Sequence, residues 1–298
     1  MPRRALEPGV AALGQQLVVA GGLDTGAAEG LDITARVDAF DTADRVWRTL
    51  PDAPVRWTEM NLAVVGGTLY IAGGLEGPGR AARGDAFALD PLDPTWRPIT
   101  PIDPGDARGA SGVVTAPGRI YLLGGASSTA ALATCLEYDI VSGQWTHLPD
   151  LPAPRARPAA MRWLDGMLIV VGGFESADAL QPRDEVWALP PPGATLRSWQ
   201  PRTAMPADRG TRGGCAYGVV LGELVCAGGE GSEAARDAVE SYDPYADVWT
   251  VREAMPIERA GVQGAAVGGR LFVPGGATTL TPEPTDTLYI YAPLDTAP

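Results

Sequence analysis

The sequence contains no lysine, a single histidine and a single asparagine. Without lysine, neither a Schiff base nor a lysine general base can form. A site built from two or more histidines, as in most zinc centres, is excluded because His147 stands alone. His147 falls on a predicted outer strand, far from any central channel, so a Ser-His-Asp triad is not expected either. We predict no metal and no cofactor.

Cysteine is also scarce. Cys135, Cys215 and Cys226 are an odd set without metal-binding or redox spacing. Cys215 and Cys226 fall in neighbouring predicted strands and could pair, but buried reduced thiols in a cytoplasmic protein are the simpler interpretation. A signal peptide is not predicted, because Gln15-Gln16 interrupts the first apolar run, and no run is long enough to span a membrane.

Basic residues are fewer than acidic residues, which gives a net charge of -13. Nucleic acid is therefore not an expected partner, because its binding depends on neutralising phosphates with a basic surface. Helical periodicity and the motifs GxSxG, GxGxxG and the phosphate-binding loop are absent as well. What the sequence does have is 38 glycines, 28 prolines and 45% hydrophobic residues, a composition typical of many short strands joined by tight turns.

Six glycine pairs, each following an apolar run, divide the chain into repeats of 47 to 56 residues. An aspartate precedes a tryptophan by six residues in four of these units, as in Asp243 and Trp249, while in the fourth unit the tryptophan is delayed to Trp199. A fixed period of this length indicates a repeat architecture. The pairs are Gly21-Gly22, Gly73-Gly74, Gly124-Gly125, Gly172-Gly173, Gly228-Gly229 and Gly275-Gly276.

Each unit is predicted to form four strands. In the second unit we expect them at Leu62–Val65, Thr68–Ala72, Asp85–Leu89 and Trp96–Ile99, with a hairpin turn at Gly66-Gly67 and a loop over residues 75–84. Six such antiparallel sheets predict an all-β, six-bladed β-propeller, in which neighbouring blades bury each other's faces.

Gly-Gly, then Tyr-Asp-Pro, then Trp six residues later resembles the kelch repeat, and the resemblance covers nearly the whole chain. It implies a single kelch-type propeller domain over residues 1–298, and we expect that domain to be a monomer. It also implies that Tyr138 and Tyr242 lie on third strands, with Phe40, Leu89 and Tyr291 at the same position, and that the tryptophans pack between blades as core. The histidine-containing metal motifs of kelch-like copper oxidases and nitrile-specifier proteins have no match here.

The last unit ends without a tryptophan strand. Either residues 3–7 supply the outer strand of the sixth blade, or that blade has three strands. We favour the first alternative, because a long exposed edge invites aggregation.

An arginine precedes most glycine pairs by 15 to 17 residues. Each stands just before an innermost strand, so we expect these arginines to gather at one mouth of the channel. Guanidinium groups there would match a carboxylate, and the resemblance implies binding of acidic peptides or of the carboxylate of sialic acid. The predicted anion contacts are Arg56, Arg108, Arg157, Arg212 and Arg259, with Arg155 as the alternative to Arg157 and Arg4 as a candidate in the first unit.

The same arginines could instead brace the blades by pairing with acidic residues just past the glycine pairs, among them Asp24, Glu76, Glu175 and Glu230. Two functions remain. The first is a binding propeller that holds an acidic small molecule or an acidic peptide segment, with Glu76 restricting what fits. The second is a sugar enzyme resembling N-acetylneuraminate epimerase, with Glu175 or Glu230 as the acid/base. A free, desolvated glutamate in the channel would favour the enzyme.

Overall fold

The computed structural model describes residues 1–25, 31–163, 165–177, 181–206 and 211–293. Within these ranges the regular secondary structure is strand, apart from one short 3-10 helix at Pro104–Asp106. The first half contains β1 (Gly9–Leu13), β2 (Gln16–Ala20), β3 (Leu23–Thr25), β4 (Leu31–Ile33), β5 (Val37–Asp41), β6 (Val46–Leu50), β7 (Trp57–Thr58), β8 (Leu62–Val65), β9 (Thr68–Glu76), β10 (Ala81–Asp90), β11 (Asp93–Ile99), β12 (Gly112–Ala116), β13 (Arg119–Leu123), β14 (Cys135–Asp139) and β15 (Gln144–Leu148).

The second half continues the same pattern of short strands. It contains β16 (Ala159–Arg162), β17 (Leu168–Val171), β18 (Val186–Leu189), β19 (Gln200–Arg202), β20 (Ala216–Val220), β21 (Glu223–Ala227), β22 (Val239–Asp243), β23 (Val248–Val251), β24 (Ala265–Val267), β25 (Arg270–Pro274) and β26 (Leu288–Tyr291).

The strands form six antiparallel sheets arranged as blades around a central channel. Each blade runs in chain order from its innermost to its outermost strand, for example β1-β2-β5-β6 and β12-β13-β14-β15. The innermost strands β1, β8, β12, β16, β20 and β24 each lie beside the next, and β24 also contacts β1, so the ring is closed. The predicted all-β, six-bladed propeller is confirmed.

Tight turns and glycine set the strand boundaries. Gly66 and Gly67 both have positive φ, 61° and 84°, as a type I′ hairpin turn requires, and Val65 pairs with Thr68 across that turn. The innermost strand therefore falls at Leu62–Val65, as predicted.

The second blade differs from its prediction at residues 75–84, which were expected to be a loop. β9 and β10 extend into this region, so that Leu75 pairs with Ala82 and Glu76 with Ala81, and a bulge separates this extension from the rest of β10. Positive φ at Gly77 and Arg80 turns the chain, and an ion pair between Arg83 and Glu76 joins the two arms. The result is a long hairpin that stands over the channel mouth.

The sixth blade has three strands, β24-β25-β26, within the described residues. The prediction that residues 3–7 form its outer strand is wrong. Instead, Ala5 bridges Thr285 and Leu6 bridges Leu23, and the amide of Gly276 donates to the carbonyl of Ala5 at 2.7 Å. This N-terminal segment therefore occupies the position that the connections between blades take elsewhere in the ring, as at Ala156 and Phe174.

The core lies between the blades, where apolar side chains of neighbouring sheets interdigitate. Of the predicted core tryptophans, Trp199 is buried, whereas the others are half-buried at the outer rim because they sit on outermost strands. Three of them stack on the third strand of their own blade, at Phe40–Trp47, Tyr138–Trp145 and Tyr242–Trp249, with ring centroids 4.8 to 5.0 Å apart.

His147 lies on outer strand β15, where it is exposed and its Nε2 lies 3.0 Å from Asp106 Oδ2. Across the described ranges, no cluster of three or more His, Cys, Asp or Glu side chains suits a metal ion. The three cysteines are buried free thiols. In the same part of the chain, no helix is both long and apolar enough to cross a membrane.

Candidate functional site

Most of the predicted arginine column is buried between the blades. The side chain of Arg108 is fully buried and donates to the carbonyl oxygens of Asp106, Gly124 and Thr134. Arg212 forms a buried ion pair with Glu240, and Arg259 donates to Thr287 Oγ1 at 2.7 Å. These three arginines join the start of an innermost strand to the third strand or loop of the same blade. They therefore brace single blades, and their partners differ from the acidic residues past the glycine pairs that the bracing alternative named.

In the fourth unit the two alternative arginines have different positions. Arg155 takes the bracing position, where it pairs with Glu185 at 2.9 Å and lies over the Trp187 ring at 4.5 Å. Arg157 lies two residues further on, at the centre of the mouth. In the first unit, Arg3 rather than Arg4 is buried, and it binds Asp38 and the carbonyl of Gly21.

Arg56 is different again, because its neighbour Trp57 occupies the buried position. Its guanidinium is exposed and binds Asp32 Oδ2 and the carbonyl of Ile33, both at 2.8 Å. Both side chains of the Arg56–Asp32 pair are more than 60% exposed.

A ring of backbone hydrogen bonds surrounds the mouth at the level of Arg157. Six residues, one before each innermost strand, adopt positive φ between 48° and 61°. Five of them donate their amide to the carbonyl of the preceding member at 2.8 to 3.1 Å. The sixth member bonds to a side chain instead of a backbone carbonyl: the amide of Gly261 donates to Glu230 Oε1 at 2.7 Å. The members are Glu7, Glu59, Ala110, Arg157, Gly214 and Gly261.

Three members of this ring take part in a buried group of charges, which we call the mouth cluster: Glu7, Glu59, Arg80, Arg157 and Glu230. Nη1 of Arg157 binds both carboxylate oxygens of Glu230 at 2.7 and 2.8 Å. Arg80 reaches down from the hairpin of the second blade to bind Glu7 Oε2 at 2.7 Å. Arg157 also lies over the Phe174 ring at 5.2 Å.

Glu59 is the poorly satisfied member of the mouth cluster. Its Oε1 lies 3.0 Å from Nε of Arg157 and 3.6 Å from Nη2 of Arg80, but it accepts no hydrogen bond from any described residue, since the angle at Arg157 is unfavourable. Burial raises the pKa of Glu59 to about 7, against the attraction of Arg157 and with a contribution from the charge of Glu7.

At Glu7 and Arg157, by contrast, the neighbouring charges favour the charged form of the side chain. Although burial favours its neutral form, the pKa of Glu7 is lowered by the neighbouring charges of Arg157 and Arg80. Burial likewise works against the charge of Arg157, but Glu230, Glu59 and Glu7 raise its pKa. Three carboxylates face two guanidinium groups, so a proton on Glu59 balances the buried charge.

The channel is closed just below the ring. Tyr217 crosses it from the fifth blade to the third, where the amide of Val113 donates to its hydroxyl oxygen at 2.8 Å. A cavity of about 20 Å³, lined by Glu59, Arg157 and Tyr217 among others, separates the hydroxyl from the mouth cluster. That volume holds about one water molecule. On the far side, a channel of about 330 Å³ is lined by the innermost strands.

Two depressions lie on the outer side of the mouth, and they share Leu23 and Arg80. One, of about 330 Å³, is lined by Glu7, Arg157, Glu230 and the segment 279–282. The other, of about 530 Å³, is lined by Asp32, Ile33, Arg56, Thr58, Glu76, Gly77 and Pro78. These two adjoining depressions have charged and apolar walls, and we call them together the mouth groove.

Of the four predicted acidic residues, the three glutamates have arginine partners. Glu76 pairs with Arg83 and Glu175 with Arg183, and all four side chains are exposed. Glu230 is buried against Arg157. The structure therefore brings Arg157 and Glu230 together at the centre and places Arg56 and Glu76 at the mouth groove, while Arg108, Arg212 and Arg259 lie inside the blades.

Sequence reasoning missed Glu7, Glu59 and Arg80. Glu7 and Glu59 each precede their glycine pair by 14 residues, so a second count along the repeats would have aligned them. The residues at that position differ from unit to unit, and Arg80 belongs to the hairpin predicted as a loop, so no repeated residue type signals this site.

A model of the KLHDC2/KLHL20/DRC7 Kelch-repeats domain matches residues 59–276. Kelch-like protein terF of Aspergillus terreus (strain NIH 2624 / FGSC A1156) is 28% identical over 294 residues, which cover 93% of this chain and 62% of that protein. Kelch-like protein 35 of Mus musculus is 25% identical over 288 residues, covering 92% of this chain and 43% of the relative.

Kelch repeat and BTB domain-containing protein 13 of Homo sapiens is 29% identical over 119 residues, which cover 39% of this chain and 26% of the relative. The chain thus spans less than two thirds of the length of each of these three relatives.

Proposed function

The chain belongs to the kelch-repeat propeller family, and on that basis we propose that it is a binding protein whose mouth groove holds an acidic segment of a protein partner. The observation that carries the proposal is the placement of Arg56 and Arg80 on opposite parts of one groove with apolar walls. Sites that fix a ligand commonly combine apolar lining with a few placed polar groups.

Arg56 is the best-placed anion contact. Its pair with Asp32 is exposed on both sides, and such pairs contribute about 0–1 kcal/mol. A carboxylate from a partner can therefore replace Asp32 at little cost. By contrast, Arg108 and Arg212 are fully buried, and releasing a buried charge from its partners costs about 3–5 kcal/mol. We therefore assign those arginines to bracing.

Arg80 extends the same surface toward the centre. It is about one-third exposed, lines both depressions and is anchored by Glu7. Because Glu7 and Glu59 hold its guanidinium in place, little side-chain entropy is lost when a ligand binds. Arg157 lies deeper and is already engaged with Glu230, so we assign it to supporting the floor of the groove.

Selectivity follows from the remaining walls. Leu23, Ile33 and Pro78 offer apolar surface next to Arg56, whereas Glu76 at the same rim disfavours a second negative charge nearby. With a net charge of -13, the chain repels acidic molecules at long range, so affinity must come from these local contacts. We expect a segment that combines one carboxylate with one apolar side chain.

The epimerase alternative gains no support. Both candidate bases, Glu175 and Glu230, are ion-paired with arginine. Glu59 is desolvated, but it borders a cavity of about 20 Å³, too small for a sugar.

A peptide-display selection on the purified chain tests the proposal. Random 12-residue peptides are selected on the unmodified chain, on Arg56→Ala and on Arg97→Ala, a matched control whose arginine is also exposed and paired with an aspartate. We expect enrichment of peptides with an acidic and an apolar residue on the unmodified chain and on Arg97→Ala, and loss of the acidic preference on Arg56→Ala. The same acidic preference on all three proteins would refute the assignment.

A further inference from the structure

The outer edge of the sixth blade is open. Within the described residues no strand pairs with the outer side of β26, whereas the other five blades each have a strand at that position. The carbonyl of Thr287 accepts from Gly275 on the inner side. Since backbone groups alternate along a strand, those of Leu288 and Ile290 point outward.

A groove of about 540 Å³ runs along this edge. One wall is Tyr289 to Pro293, and the other is the chain just after the outer strand of the fifth blade, at Arg252, Glu253, Ala254 and Pro256. In every other blade this space between neighbouring outer strands is filled by an outer strand and its tryptophan.

The filled blades show what such an occupant contacts. In four of the five filled blades, the tryptophan donates its indole N–H to the carbonyl of the residue four positions after the tryptophan of the preceding blade, at 2.9 to 3.1 Å. The pairs are Trp96 with Pro51, Trp145 with Thr100, Trp199 with Pro149, and Trp249 with Thr203. Four positions after Trp249 lies Glu253, which lines the open groove.

The third strand carries an aromatic residue at the matching register position, Tyr291, which is 8% exposed. Tyr291 pairs with Leu271 as Tyr242 pairs with Leu224 in the fifth blade, and Tyr242 stacks on its tryptophan at 5.0 Å. On the opposite side of the gap, Trp47 of the first blade donates no indole hydrogen bond to any described residue, although four of its counterparts do. An occupant carbonyl would complete that bond.

We propose that this edge is a strand-addition site for an extended, tryptophan-bearing segment of a partner chain. The segment pairs antiparallel with β26, places its indole on Tyr291 and donates to the carbonyl of Glu253, while a carbonyl four residues later accepts from Trp47. Main-chain hydrogen bonds supply affinity and the indole pocket supplies selectivity.

The probe is a fluorescein-labelled peptide with the sequence of residues 244–254, which carries Trp249 and the five residues after it. Fluorescence anisotropy with the full chain should show saturable binding, weakened about tenfold or more when the tryptophan of the peptide is replaced by alanine. Ile290→Pro removes an outward amide and should abolish binding. Ala254→Arg, which fills the groove without changing the strand, should do the same, while Ala246→Arg on an exposed turn should bind like the parent.

Equal binding of the alanine peptide, or unchanged binding by Ala254→Arg, would overturn the proposal. Thermal melts separate loss of the site from loss of the fold, since Ala254→Arg should melt within a few degrees of the parent. A chain that is dimeric and becomes monomeric in Ala254→Arg would show that a second copy fills the edge, which also overturns the proposal.

Discussion

Replacing Glu59 by glutamine should make the protein more stable at neutral and alkaline pH. The side chain is 3% exposed, and its pKa rises from 4.5 to about 7 on folding. The folded state therefore binds the proton of Glu59 more tightly than the unfolded state does. The stabilisation from that proton is complete below pH 4.5, falls as pH rises, and is lost above pH 7. Glutamine imitates the protonated form at every pH.

The magnitude follows from the pKa difference. A pKa that is higher by about 2.5 in the folded state corresponds to roughly 3 kcal/mol in the free energy of unfolding, taking about 1.4 kcal/mol for each pH unit. Urea unfolding at pH values from 4.5 to 8 should show the advantage of Glu59→Gln over the parent growing by roughly 2–3 kcal/mol. Taking the difference at each pH cancels the titrating groups that do not interact with Glu59, whereas Glu7, whose charge acts on Glu59, contributes to the difference.

Glu76→Gln is the matched control, because Glu76 is exposed and lies outside the mouth cluster. Its difference from the parent should stay within about 0.5 kcal/mol across the range. A difference between Glu59→Gln and the parent that does not change with pH, or a glutamine variant that is less stable than the parent at pH 8, would refute the charge balance derived for the mouth cluster.

Three further predictions concern the blades. Arg108→Ala should lower the free energy of unfolding by roughly 3–5 kcal/mol, because it leaves several buried acceptors without a donor, whereas Arg56→Ala should cost less than about 1 kcal/mol in the same urea titration. Trp249→Phe should lower the free energy of unfolding by about 1 kcal/mol more than Trp47→Phe does, because only the first substitution removes an indole hydrogen bond to a neighbouring blade. An equal loss of stability in the two variants would contradict this. All three cysteines are buried, and burial raises the pKa of Cys135 to about 11, so a thiol reagent at pH 8 should titrate no cysteine in the folded protein and all three in denaturant. Rapid reaction of the folded protein would contradict this prediction.

Much of the architecture follows from the sequence, because glycine pairs and outer-strand tryptophans recur at fixed spacing and each has one structural role. The hairpin of the second blade did not follow, since Gly77 and Arg80 mark a turn without showing that the arms on either side pair. The position of residues 3–7 was also missed. Their bridges to Leu23 and Thr285 depend on closure of the ring, which brings together residues far apart in sequence.

The site was harder to predict than the fold. Counting from the glycine pairs located the arginines to within one or two residues, but that margin separates buried Arg155 from central Arg157 and buried Trp57 from exposed Arg56. Glu7 and Glu59 share a backbone conformation with Gly214 and Gly261 rather than a residue type. This position is defined by its φ angle and by a ring of backbone hydrogen bonds, so the residue type is not repeated from unit to unit and the sequence does not reveal the position.

A double-mutant cycle between Arg56 and a selected peptide tests the central claim most directly. Isothermal titration measures the affinity of an enriched acidic peptide and of its amide counterpart, with aspartate replaced by asparagine, for the unmodified chain and for Arg56→Ala. If the mouth groove binds the acidic side chain through Arg56, the coupling free energy should be about 0.5–1 kcal/mol or larger. A coupling energy of zero, with both changes acting independently, would contradict the account.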